Sequence, residues 1–496
     1  MKFFLTLPLL ISLFVCPAQS KLYKEQYRPQ FHFTPEKNWI NDPNGLVYYK
    51  GQYHLFYQYN PFGNVWGHMS WGHAISKDLI HWKHLPVAIP EENGIMIFSG
   101  TCVADIKNTS GFGRNGQVPL VAVYTGHIEG VNQSQHIAYS LDDGHTWTKY
   151  DKNPVLDLHK KDFRDPKIFW CALKNYWVMA VMLPVEHIVQ FYSSKNLKDW
   201  NLLSEFGPAG DTSGVWECPD LTQVPIETMP GKKKWLLQMS MNGTMQYFVG
   251  EFDGVKFANE SAADKIYRPD YGPDYYAAIC YGQLPVNHKP ISIGWINNWN
   301  YANDIPTTPW KGAMSIPRTL SVKKVNGEWL LVQKPIGVIT AQRSNPSSQK
   351  NIIVNNSKRL PLKSQQFEMK FTISATNSTY AGVRISVNDN TYFEIGYDGL
   401  NNRVYADRSK TPNRNFNKAF NEMITYAERI LPEKKSTIQF HIFYDHSIVE
   451  IFVNDGDAVF TFQLFPLEKD NGVELFSKND ATNFHSVDLW QLKSIW

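Results

Sequence analysis

The chain has 496 residues, more than one ordinary core holds and enough for two or three domains. Its formal net charge of +3 supplies no basic field for nucleic acid or for an anionic membrane surface. Aromatic residues make up 14%, a surplus that suits sheet-rich folds and sites that stack flat ligand faces.

Lys2 precedes the apolar run FFLTLPLLISLFV, and Ala18 and Ser20 sit at cleavage-site positions. This layout predicts a secretory signal peptide over residues 1–20 and a mature chain that is secreted to the extracellular space. The run is too short to span a bilayer comfortably, and no second apolar stretch of spanning length follows, so no membrane association is expected after cleavage. Six Asn-x-Ser/Thr sequons, at Asn108, Asn132, Asn242, Asn259, Asn355 and Asn377, are surface glycosylation candidates. Cys16 leaves with the signal. Cys102, Cys171, Cys218 and Cys280 remain, enough for one or two disulfides but without zinc-ligand spacing.

The first distinctive stretch is NWINDPNGLVYY at 38–49, where Asp-Pro and Asn-Gly predict a turn at a strand end, set among many aromatics. A repeat follows. GHAISKDLIHW ends at Trp82, IAYSLDDGHTW at Trp147 and QFYSSKNLKDW at Trp200, and a weaker copy, YFVGEFDGVKF, ends at Phe257. Each is a short strand, a Ser, Asp, Asn or Gly turn, and an aromatic. The spacing, roughly fifty to sixty-five residues, is that of one four-stranded propeller blade. Four copies plus the unmatched strands around GWINNWNY make five blades over residues 21–336. The Ser-, Gln- and Asn-rich stretch 337–350 reads as a linker. From 351 to 496 the strands alternate. Phe367, Met369, Phe371 and Ile373 share one face, and IQFHIFYDHSIVEIFVNDG is a hairpin, the pattern of a β-sandwich. The fold class is therefore all-β, a five-bladed β-propeller followed by a C-terminal β-sandwich.

Propellers of this kind work through the funnel lined by their innermost strands. Three carboxylates stand in unusual contexts on different blades: Asp42 in NDPNG, Asp165 in FRDP and Glu217 in WECPD. The prolines after Asp42 and Asp165 favour an extended backbone at each Asp. Arg164 and Cys218 lie beside two of these acids. His68 and His73 are close in sequence, but no carboxylate or Cys stands at ligand spacing, so neither metal nor cofactor is expected.

The blocks WINDPNG, YQYNP, WGHMSWGHA, FSGT, FRDP, WECPD and GWINNWNY, in this order, resemble the signature blocks of glycoside hydrolase family 32, and DHSIVEIFVNDG extends the likeness into the second domain. That family holds invertases, exo-inulinases and levanases. The resemblance implies Asp42 as nucleophile, Glu217 as acid/base and Asp165 as transition-state stabiliser. It further implies Asn41, Gln58, Ser99 and Arg164 as partners of the sugar hydroxyls, and Trp66, Phe98 and Trp299 as an aromatic wall. Ile40 stands where the family often has Met, and GWINNWNY departs from the plant acid-invertase pattern, so the likeness is to the microbial-type branch. Retaining hydrolysis needs one ionised carboxylate to attack the anomeric carbon and one protonated to release the leaving oxygen. Repulsion within the cluster raises the proton affinity of at least one acid, which suits Glu217, while Arg164 favours ionised Asp165.

The function implied is a secreted β-fructosidase that removes terminal β-D-fructofuranosyl units. Sucrose is the first expected substrate, and levan or inulin ends the second. Fructosyl transfer and a non-catalytic sugar-binding propeller are the rivals, and the protein partner compatible with the sequence is a second copy of the chain in a homodimer.

Overall fold

The computed structural model describes residues 22–496 except 263 and 389. The expected signal peptide at 1–20 lies outside the described residues.

Five sheets, each built on four antiparallel strands and three of them carrying a short fifth, are arranged as blades. The innermost strands are Asn38–Tyr49, Met96–Ala104, Arg164–Cys171, Trp216–Pro225 and Tyr276–Cys280, for blades I to V. These strands are almost wholly buried, as strands packed on both sides must be. The ring closes where Asn38 and Trp39 pair in parallel with Trp310 and Lys311 of blade V, and Met314 N donates to Phe33 O.

The sequence repeat is the turn between the third and fourth strands of a blade. Ser76, Ser140 and Ser194 each donate a hydroxyl to the Asp or Asn two residues on, and that carboxylate or amide oxygen accepts backbone N–H groups around the turn. The closing tryptophan then packs inward: Trp82 meets Phe33 edge-on and Trp147 meets Phe56. Blade V has its own copy, SVKKVNGEW, which ends at Trp329 on the outer strand Glu328–Pro335. It escapes a search by spacing because an irregular segment separates the second strand of that blade, Ile291–Ile296, from the third, Arg318–Val325.

NWINDPNGLVYY is not a turn at a strand end. It is one twelve-residue strand with two register breaks, after Ile40 and after Asn44. Gly45 sits at the second break with φ +55, and a Cβ there would lie 2.5 Å from the Phe56 ring, so both backbone and space call for glycine.

The expected linker also differs. Gly337–Gln342 is a short 3-10 turn, and from Arg343 the chain is already in a strand that pairs with Leu492. That strand, Arg343–Lys363, is bonded along one side only, so its Ser, Gln and Asn side chains face solvent and imitate linker composition. It and Gly472–Leu492, each 21 residues long, run through both layers of the second domain. One half of the pair continues into Gln366–Ser374 and Thr437–Asp445, the other into Tyr380–Asn388 and Thr391–Asp398. Phe367, Met369, Phe371 and Ile373 fill the space between the layers with Val383, Ile385 and Ile395.

Two buried ion pairs of opposite sense join the domains. Arg318 of the propeller binds Glu450 of the sandwich (Nε–Oε2 3.0 Å) and its own Asp270, while Arg408 of the sandwich binds Asp274 of the propeller at 2.7 Å. His32 bridges two sandwich carboxylates, Asp445 at 2.8 Å and Glu450 at 3.0 Å. The segment 270–274 lies directly on the strand Ala458–Gln463: Tyr271 N donates to Val459 O, and a Cβ on Gly272 would come within 2.2 Å of the Thr461 backbone. The DHSIVE block therefore supplies the docking carboxylates.

Removing one partner of a buried pair strands the other charge, so Glu450→Gln is expected to lower unfolding free energy by about 3 kcal/mol in urea titration. Burial disfavours imidazolium at His32, but the Asp445 and Glu450 carboxylates override it and lift its pKa from 6.5 to about 9. Because the folded value lies above the unfolded one, this contribution is full below about 6.5 and is lost as pH rises through about 9. Urea midpoints from pH 6 to 9.5 should fall more steeply for the wild-type chain than for His32→Asn; parallel profiles would refute the linkage.

Candidate active site

Every innermost strand breaks register near the same end of the channel. The breaks fall between Ile40 and Pro43, Ile97 and Gly100, Arg164 and Lys167, Glu217 and Asp220, and Tyr276 and Ile279. A bulge re-aims side chains out of the alternating pattern, and here it delivers Asp42, Ser99, Asp165 and Glu217 from four different blades. Asp165, Cys218 and Ala277 have φ of 66°, 50° and 50°. The extended backbone expected before Pro166 is thus absent at Asp165, because the bulge holds it in the left-handed region that Asp tolerates better than most residues.

A cavity of about 220 Å³ lies over these bulges. Its lining is Asn41, Asp42, Gln58, Trp66, Phe98, Ser99, Arg164, Asp165, Glu217 and Trp299, so the ten residues singled out from the sequence meet in one place. Asp42 and Asp165 are almost fully buried, and the Glu217 side chain is 24% exposed toward the mouth. Asp42 Oδ2 accepts from Ser99 Oγ at 2.7 Å and Cys218 Sγ at 3.3 Å, and Oδ1 accepts from Asn41 Nδ2 at 3.1 Å. Asp165 Oδ2 accepts the Cys218 N–H at 3.0 Å. Gln58 donates to Ile97 O and ties blade I to blade II. Trp299 packs on Trp39 and Trp295, and Phe98 is stacked on His127 at 4.2 Å, so the aromatic wall is braced from behind.

Arg164 points inward but spends its donors elsewhere than expected. Nε and Nη2 each donate to Glu217 Oε1 at 3.2 Å, and Nη1 donates to Asp162 and Gln133, whereas Asp165 Oδ2 is 3.9 Å from Nε. Burial pushes the Asp165 carboxyl up to about 7, against the pull of Arg164, with the charges of Glu217 and Asp42 adding to the rise. Burial also raises Asp42; the Ser99 hydroxyl opposes it and Glu217 reinforces it. Burial, then the neighbouring carboxylates, push the Cys218 thiol well above its usual range, so it serves Asp42 as an S–H donor.

Several contributors escape the sequence reading. Trp39, fully buried, donates Nε1 to Asn41 Oδ1 at 2.8 Å and fixes that amide. Gln133 and Asp162 hold Arg164, and Thr125 Oγ1 accepts Asp165 N. Tyr276, the first residue of the blade V inner strand, donates to Glu217 Oε2 at 2.5 Å. Its only sequence signal is its place at the start of that strand, in a blade whose repeat is hard to see. Among the described residues the four cysteines are buried thiols, none in a disulfide. His68 and His73 part company: His68 is exposed beside Glu91, and His73 is buried against His54.

Two family models cover the described chain, Glycosyl hydrolases family 32 N-terminal domain over residues 32–335 and Glycosyl hydrolases family 32 C terminal over 338–491. The chain is 44% identical to a levanase of Bacillus subtilis, over 97% of this chain and 72% of that protein. It is 40% identical to the extracellular exo-inulinase of Aspergillus niger, over 96% of each. A fructofuranosidase structure from Schwanniomyces occidentalis, complexed with fructosylnystose, superposes with a TM-score of 0.87 at 32% identity over 96% of this chain and 99% of that one. Built on this propeller and this sandwich, with hydrolases as relatives along its whole described length, the chain is a glycoside hydrolase and belongs to family 32.

Proposed function

We propose that this protein is a secreted, retaining exo-β-fructosidase that releases fructose from the non-reducing ends of fructan chains and also cleaves sucrose. One observation carries the reading: three carboxylates from three blades converge in one small cavity with a single guanidinium among them. Asp42, held by Ser99 and Asn41, is the nucleophile; Glu217, nearest the mouth, is the acid/base; and Asp165 supports the transition state. In the first step Asp42 Oδ attacks the anomeric carbon as Glu217 delivers its proton to the departing oxygen. In the second, water attacks that carbon, gives a proton to Glu217 and frees Asp42. Crowded, buried carboxylates favour a transition state that develops positive charge on the sugar over a neutral ground state.

The identity with a levanase and an exo-inulinase supports polymer ends ahead of sucrose as the main substrate. Trp66 at 38% and Trp299 at 37% exposure support it too, since they carry the aromatic lining of the cavity to the protein surface. Secretion is supported by the leader-like residues 1–20 and by the naming of the exo-inulinase relative as extracellular.

Purified protein assayed on levan, inulin and sucrose is expected to release free fructose from all three, fastest from a fructan. Absence of fructose release from every one sinks the reading. Glu217→Gln should lower turnover of natural substrates by about 10²–10⁴-fold, and Asp42→Asn by more, with thermal unfolding intact; near-wild-type turnover in Asp42→Asn removes it as nucleophile. Proton NMR of early product should show the β-anomer of fructose first, and α-first would rule out retention.

A further inference from the structure

Glu217 has two unlike neighbours on its two oxygens. Oε1 faces Arg164, which presents Nε and Nη2 at 3.2 Å each. A guanidinium carries only donors, so a proton on Oε1 would point at N–H groups with nothing to accept it. Oε2 faces the Tyr276 hydroxyl at 2.5 Å, and a hydroxyl both donates and accepts. The geometry therefore has one oxygen on which a proton is welcome.

The phenol is held firmly enough to impose this preference. Tyr276 is 2% exposed, and its ring meets Trp295 edge-on at 6.4 Å. Its backbone pairs with Trp295, the next N–H, of Ala277, is tied to Ser240 Oγ at 2.8 Å, and the strand bulges immediately after it. Two residues upstream, Asp274 is fixed by Arg408, Tyr301 and the Gln463 N–H. The hydroxyl stays a hydroxyl throughout, because burial and then the Glu217 charge push its pKa well above the ordinary tyrosine range.

We propose that Tyr276 is a positioning residue for the acid/base, keeping the transferable proton of Glu217 on Oε2 by accepting from the acid and donating to its conjugate base. The proposal rests on the acid/base role given to Glu217 above. When substrate binds, the Oε2 proton swings from the Tyr276 oxygen to the leaving oxygen and passes to it as the glycosidic bond breaks, and the Tyr276 O–H turns to donate to the vacated Oε2. When water attacks the fructosyl carbon, its proton arrives at Oε2, Asp42 departs as carboxylate, and the hydroxyl turns back. Tyr276 neither gains nor loses a proton over the cycle.

The test uses leaving-group dependence, which a merely structural residue does not alter. Sucrose releases a poor leaving group that needs protonation, whereas p-nitrophenyl β-D-fructofuranoside releases a phenolate that needs little. Tyr276→Phe is expected to lower kcat/KM on sucrose by about 10–100-fold, part of what general acid catalysis supplies. On the aryl fructoside the loss should stay within about threefold, with a matching split between kcat and KM. Inhibition by fructose should be unchanged, which shows that the pocket is intact. Equal losses on both substrates, or none on sucrose, overturn the proposal. Glu217→Ala, assayed alongside with azide, separates the two ways of failing. If azide rescues that variant on the aryl substrate, the acid/base assignment stands and the Tyr276→Phe result alone decides. If azide does not, and both substrates suffer equally, the assignment falls and the Tyr276 proposal falls with it.

Discussion

Three carboxylates and one guanidinium share a buried cavity, and the rest of the molecule is arranged around that imbalance. Arg164 is the one cation in the lining, and its donors are divided among Glu217, Asp162 and Gln133. It neutralises no single acid. Asp42 and Asp165 are left with burial and the charge of Glu217 raising their proton affinity, and on the proposed mechanism that tension is relieved when a bound sugar becomes cationic. The neutral donors around Asp42 (Ser99, Asn41 and the Cys218 thiol) orient it without supplying charge.

Holding like charges together requires a frame that does not yield, and five strands meeting at one axis provide it. Each breaks register at the level of the cavity, and at three of them a non-glycine residue takes a left-handed backbone. Such conformations persist where surrounding structure over-determines them. Blade packing, the cross-tie from Gln58 to Ile97, and the Trp39–Asn41 bond are parts of that determination.

Much of this was legible in the sequence. Three of the blades announce themselves because a Ser and an Asp or Asn two residues later cap the outer turn, and the aromatic that follows packs inward. The acids stand out because Asp-Pro and Glu-Cys-Pro are odd company for a central strand. Legibility ended where local pattern and tertiary need diverge. NDPNG looks like a turn, yet tertiary packing stretches it into a strand with two bulges. The polar stretch after 342 looks like a linker because only one of its sides is bonded. Tyr276 carries no motif; its importance lies in where blade V places it, and blade V is the blade with the interrupted repeat.

The contact between the domains has a consequence for inheritance. The segment 270–274 is gripped by the sandwich on one side and runs without a break into the strand that begins with Tyr276. The sandwich is therefore within a few bonds of the propeller's active centre, though it lines none of the cavity. A recombination that pairs this propeller with a foreign sandwich must preserve Glu450, Arg408 and the close approach over Gly272, or it moves the anchor from which the blade V strand enters the site. A library built by shuffling the two halves is therefore constrained less by the short turn that joins them than by the matched charges on either side of it.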